Sequence, residues 1–147
     1  MGNDVAESDH QVLILTEKDL LDMSDEDYMN PAQINFFRQR LNVMKRELME
    51  NAEVTGAHLR ATEVAADPVD RATLEEEHAL ELRVRDRERK LLKKIESTLR
   101  RLDDGSYGYC EETGEPIGLK RLLARPTATL SLEAQERREN LQRVQRD

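Results

Sequence analysis

The chain has no tryptophan, two phenylalanines and three tyrosines, so aromatic residues make up only 3% of its 147 positions. A compact globule of that length ordinarily buries several large rings, which argues against a single dense spherical core. A lone cysteine, Cys110, excludes any intramolecular disulfide framework. The longest apolar run, Val12 to Leu15, is too short to cross a bilayer or to serve as a signal core. What the chain has in abundance is charge, at 37% of residues. Long helices that bury one stripe and solvate the rest suit these numbers, and they predict a soluble, elongated, mainly α protein of a reducing compartment.

The 31 acids and 23 bases leave a net charge of −8. That balance argues against a general DNA-binding or membrane-surface protein, since both need a basic face. The charge is uneven. Residues 1–31 carry −8 by themselves, whereas residues 81–101 carry +5. This basic island could hold a phosphate ligand or touch an acidic partner, or simply solvate the outside of a helix.

Residues 1–29 contain the apolar run and an acidic stretch from Ser24 to Asp27, with room for a short helix or strand packed on something else. At Asn30-Pro31 an N-cap residue precedes proline at the first helical position, and Gln33 has capping-box spacing. Ile34, Phe37, Leu41, Met44 and Leu48 then follow in heptad steps. The same steps continue onto Asn51, Thr55, His58 and Thr62, so the seam becomes polar. Asp67-Pro68-Val69-Asp70 repeats the helix-start signal. The following stretch runs without Gly or Pro to about Leu102, with Leu91, Ile95, Thr98 and Leu102 as its stripe and Glu77, Glu81 and Glu88 diluting it toward Asp67.

Two such helices joined by a short turn predict an antiparallel coiled-coil hairpin roughly 50 Å long over 32–102, with its tip near 65–72. Residues 103–129 hold four glycines and two prolines, which predict turns and short strands in a small lobe. Helical texture returns over 130–147, with Leu132, Leu141 and Val144 as its few apolar positions.

Cys110 and position 113 have the first spacing of a zinc ribbon, and positions 131 and 134 have the second. The occupants are Cys110, Thr113, Ser131 and Ala134, so a four-ligand metal site is not expected, and the lobe must rest on Tyr107, Tyr109, Ile117, Leu119, Leu122, Leu123 and Leu130. Glu111 and Glu112 beside Cys110 predict a raised thiol pKa and a small, unreactive side chain. Asp67 and Asp70 suit helix caps, a weak hard-cation site, or an acidic tip meant for a partner. Arg87, Lys90, Leu91 and Lys94 share one helix face fit for a multiply phosphorylated ligand. No aromatic stacking residues stand beside them to read nucleic-acid sequence.

The run DPVDRA (67–72), the EEE…LELR.RDRERKL.KKIE stretch (75–96), GYCE (108–111) and IG…R…ARPTA (117–128), with Tyr28-Met29-Asn30, resemble the DksA/TraR family of bacterial transcription regulators. The resemblance covers roughly residues 27–135. It implies a zinc-ribbon-like lobe, here without metal, bearing the hairpin, with an N-terminal segment (1–31) packing on the lobe and a C-terminal helix.

It also implies a cytoplasmic, monomeric, non-enzymatic factor that inserts its hairpin into the secondary channel of RNA polymerase and acts in the stringent response with the alarmone ppGpp. No sequence-specific DNA binding and no membrane association are implied. The family's tip residues fall on Asp67, Asp70 and Ala72. Its ppGpp pocket falls on Arg87, Lys90, Leu91, Lys94 and Arg125, while a further pocket lysine is replaced by Gln135. The zinc cysteines fall on positions 110, 113, 131 and 134, so the resemblance is to a zinc-independent variant.

Two rival readings belong to other classes. A transcript-cleavage factor would use the tip carboxylates to hold a second Mg²⁺. A generic coiled-coil scaffold would usually keep its apolar seam throughout, which the polar tip does not.

Overall fold

The computed structural model of the chain describes residues 15–65 and 71–146. The element order is α1 (Glu17–Leu21), a 3₁₀ turn (Asp25–Asp27), α2 (Pro31–Ala65), α3 (Arg71–Asp104), α4 (Leu119–Ala124) and α5 (Leu132–Arg146). Two compact units result, one of Met1–Leu41 with Thr98–Asp147 and one of Asn42–Ser97. Both long helices run through the division without interruption.

The starts of α1 and α2 have local causes. Thr16 and Asp19 form a reciprocal capping box on α1, with Asp19 N–H donating to Thr16 Oγ1 at 3.1 Å and Thr16 N–H to Asp19 Oδ2 at 3.2 Å. Asn30 caps α2 by accepting from Gln33 N–H at 2.9 Å, and the Gln33 side chain reaches back to Met29 N–H at the same distance. The second long helix is described from Arg71, so the expected Asp67-Pro68 start lies outside the described residues. It ends where Asp104 Oδ1 accepts from both the N–H and the hydroxyl of Ser106. These bonds, the hydroxyl's first, hold the Asp104 carboxyl below its usual range.

The core of the first unit gathers Leu20, Phe37, Leu41, Leu102, Tyr107, Leu122, Leu130 and Ala134. Each large side chain taken fully out of water contributes about 1.5–3 kcal/mol before entropy is counted. Phe37 stacks at a tilt on Tyr107 with ring centroids 5.5 Å apart, and α1 packs on α4. Of the residues expected to hold the lobe, Tyr107, Ile117, Leu122 and Leu130 are buried, while Tyr109, Leu119 and Leu123 are half-buried.

The lobe has fewer strands than expected. Among the described residues there is only an isolated antiparallel bridge between Tyr109 and Pro116. Cys110 N–H to Glu115 O and Ile117 N–H to Gly108 O are the two bonds that make this bridge, and Gly114 N–H to Cys110 O closes the turn between its arms. Gly108 has φ +91°, and a Cβ there would meet Met29 Cγ at 2.9 Å, so glycine is required on both counts.

In the second unit the helices pair antiparallel. Lys45 meets Glu96 at 3.8 Å and His58 meets Glu81 at 2.9 Å, so one residue number falls as the other rises. Ile95 is fully buried, but Met44, Leu48 and Leu91 are half-buried, and Asn51 and His58 are exposed. Glu81 and Glu88 each keep one carboxylate oxygen shut from solvent with no hydrogen-bond partner. The apolar seam therefore weakens along the hairpin, as its sequence anticipates. On α5 the three apolar positions Leu132, Leu141 and Val144 are all exposed, and the helix instead buries Ala134.

Candidate functional site

Of the tip residues, Asp67 and Asp70 lie outside the described residues, and Ala72 is exposed in the first turn of α3. One helical turn apart or less, Arg87, Lys90, Leu91 and Lys94 form a ridge on α3, with the three cations exposed and Leu91 half-buried. Lys90 Nζ pairs with Asp86 one turn back at 3.1 Å, and Lys94 also has a partner within the chain. The exposed Lys90–Asp86 pair is weak, so an incoming polyanion can take over Lys90 at little cost.

Arg125 stands in the other compact unit, exposed at the C-terminal end of α4, where its N–H donates to Arg121 O at 2.7 Å. It borders a groove of about 950 Å³ together with Lys120, Arg121, Leu119 and Leu132. Gln135, at the position of the family's further lysine, commits its amide to Glu139 Oε1 at 2.9 Å.

The cysteine knuckle differs from expectation. Burial alone would push the Cys110 thiol up, but hydrogen bonds from the Thr113 hydroxyl and from the N–H groups of Ser131, Thr113 and Glu112 outweigh it and bring the pKa down to about 6. The expected upward effect of Glu111 and Glu112 fails for a physical reason. Both residues are exposed, and Glu112 commits its carboxylate to Arg138 at 2.8 Å while its N–H faces the sulfur. The loop directs the Thr113 hydroxyl and three backbone N–H groups onto a single sulfur.

The other three positions do not fit a zinc site of four sulfurs. Thr113 Oγ1 accepts from Glu115 N–H at 3.3 Å. Ser131 Oγ accepts from Ala134 N–H at 3.2 Å and so caps α5. Ala134 is fully buried and carries no donor atom. Among the described residues no three His, Cys, Asp or Glu side chains gather as metal ligands would.

A further feature escaped the sequence reading. A cleft of about 680 Å³ opens on one flank of the hairpin, where Ala52, Gly56 and Ala57 of α2 face Arg85, Glu88 and Arg89 of α3. Gly56, buried in mid-helix, was the available signal, since an interior glycine costs a helix about 1 kcal/mol relative to alanine.

Comparison with known proteins agrees with the geometry. The family model described as the N-terminal domain of DnaK suppressor protein DksA matches residues 33–102, and that of the prokaryotic dksA/traR C4-type zinc finger matches residues 105–140. An "RNA polymerase-binding transcription factor DksA" of Caulobacter vibrioides is 56% identical over 136 residues, covering 91% of this chain and 96% of that protein. Its namesake in Haemophilus influenzae is 55% identical over 111 residues, covering 74% and 76% of the two chains. The solved structure of transcription factor DksA2 from Pseudomonas aeruginosa superposes with a TM-score of 0.82 at 48% identity, covering 87% of this chain and 99% of that one. Family models, relatives and fold converge, and the chain belongs to the DksA family.

Proposed function

We propose that the protein is a cytoplasmic, non-enzymatic transcription regulator that binds RNA polymerase as a monomer, presents its hairpin through the secondary channel and responds to ppGpp. The observation that carries the reading is the similarity, over 91% of this chain and 96% of the Caulobacter vibrioides protein, to a relative named an RNA polymerase-binding transcription factor. The hairpin's physics supports it. A seam that is apolar near Phe37 and Leu41 and polar by Asn51 and His58 makes a stiff base and a solvated far end, suited to presentation rather than to helix pairing.

In this reading Asp67, Asp70 and Ala72 approach the polymerase active centre and disturb its mobile elements. Arg87, Lys90, Leu91, Lys94 and Arg125 bind ppGpp jointly with polymerase through charge-assisted hydrogen bonds. No promoter sequence is read. The lobe folds without zinc, so regulation persists under zinc depletion.

In vitro transcription from a stable-RNA promoter tests the tip. Asp70→Asn abolishes repression while leaving helix content intact; undiminished repression by this variant refutes the tip mechanism. In the same assay, Lys94→Ala weakens the response to ppGpp and spares the response without it.

A further inference from the structure

The Gly56 cleft has three properties that a coiled-coil flank does not need. First, two guanidiniums converge on the bare backbone of Gly56. A Cβ built there would lie 3.5 Å from Arg60 Nη1 and 4.0 Å from Arg85 Nη1. Second, among the described residues no carboxylate lies within ion-pair distance of either guanidinium, although Glu53 and Glu88 line the same cleft. Two guanidiniums without a carboxylate partner leave charge-assisted donors available to an anion. Third, Glu88 has one carboxylate oxygen shut from solvent with no partner, which calls for a hydrogen-bond donor. Leu48, Ala52 and Leu92 supply an apolar wall.

We infer that the Gly56 cleft is a binding site for a nucleoside polyphosphate. Its phosphoryl oxygens would sit over Gly56 between Arg60 and Arg85, with Arg89 beside them. Its nucleoside, which brings N–H and O–H donors, would lie on the apolar wall toward Glu88. The volume of about 680 Å³ is in the range of small-molecule sites. The cleft is distinct from the ridge of Arg87, Lys90, Leu91 and Lys94. At 100° per residue, Arg85, Glu88, Arg89 and Leu92 project from the other flank of α3. All cleft residues belong to one compact unit, so the site is complete in the free chain and does not depend on the polymerase reading.

Calorimetric titration of the full-length protein at low salt tests the inference, using each of the four nucleoside triphosphates, inorganic pyrophosphate and an unphosphorylated nucleoside. Triphosphates bind with stoichiometry near one, more tightly than pyrophosphate, and the nucleoside alone does not bind. Gly56→Ala has room for its methyl in the empty cleft yet places it where the phosphoryl oxygens would sit, and it weakens binding by about tenfold. Arg85→Gln weakens it similarly, while Arg83→Gln, exposed on the far face of α3, leaves it unchanged. Equal binding by Gly56→Ala and Arg85→Gln, loss in Arg83→Gln instead, or no binding to the wild type overturns the site. Pyrophosphate binding as tightly as a triphosphate overturns the nucleoside assignment.

Discussion

Removing one oxygen atom tests how the N-terminal turn is fastened to the lobe. The Tyr28 hydroxyl donates to Gly108 O at 2.5 Å and accepts from Gly118 N–H at 3.1 Å, so it bridges both sides of the cysteine knuckle. Its ring meets Tyr109 edge-on at 5.7 Å. Tyr28→Phe keeps the ring contact and deletes both bonds. At about 1 kcal/mol for each bond in a half-buried setting, the loss is about 2 kcal/mol. For a chain of this size that lowers the melting temperature of the lobe by roughly 4–8 °C.

Burial, opposed in part by the Gly118 hydrogen bond, raises the pKa of the Tyr28 phenol. The bridge therefore stays protonated, and the effect is the same at pH 6 and pH 8. The assay is built into the composition. All three tyrosines lie in the unit that contains the lobe and there is no tryptophan, so near-ultraviolet circular dichroism follows that unit while far-ultraviolet dichroism follows the helices. A near-ultraviolet midpoint unmoved within about 1 °C refutes the bridge as a stabilising contact.

Two other outcomes follow from the knuckle. The Cys110 thiolate, watched by its ultraviolet absorbance, titrates with a midpoint of about 6, and a midpoint above about 8, near that of a free thiol, refutes the hydrogen-bonded turn. Because this acid's folded pKa is depressed, its stabilisation is full above the unfolded pKa and is lost as pH falls through about 6; Cys110→Ser accordingly costs more stability at pH 8 than at pH 5, and an equal cost contradicts the shift. Metal chelators leave the wild-type melting curve unchanged, whereas Thr113→Cys/Ser131→Cys/Ala134→Cys gains a zinc-dependent, chelator-sensitive transition; a chelator effect on the wild type or none on the triple variant refutes the zinc-independent reading of the turn.

The sequence was most legible where one local rule acts alone. Asn30, Pro31 and Gln33 announce the start of α2, and heptad spacing picks out Phe37, Leu41, Ile95 and Leu102, which the structure buries. It was least legible where tertiary contacts decide. Charge next to Cys110 in the chain predicted the wrong sign of its pKa shift, because backbone N–H groups converging from Thr113 and Ser131 are invisible to sequence spacing. Strands were expected between 103 and 129 from glycine and proline density. Those residues were satisfied by tight turns around one bridge instead. The Gly56 cleft was missed because Arg85 and Arg89 lie on the other long helix, and only the hairpin register sets them opposite the glycine.

How the lobe holds without a four-sulfur site is a matter of magnitudes. A structural zinc contributes roughly 10–16 kcal/mol to the folding of a small domain. What stands at and around those positions here is a Ser131 cap on α5, an exposed Glu112–Arg138 pair, and a buried hydroxyl bond from Tyr107 to Pro126 O at 2.9 Å. At about 1 kcal/mol each or less, these replace a small fraction of a metal's contribution. The remainder must come from apolar burial. Tyr107, Ile117, Leu122 and Leu130 supply part of it within the lobe, and Phe37 and Leu41 of α2 and Leu102 of α3, in the same compact unit, add to it, with Phe37 directly on Tyr107. On the proposed zinc-independent reading, the lobe and the helix ends share one core, and the helix ends take over part of the structural role that four thiolates would otherwise share.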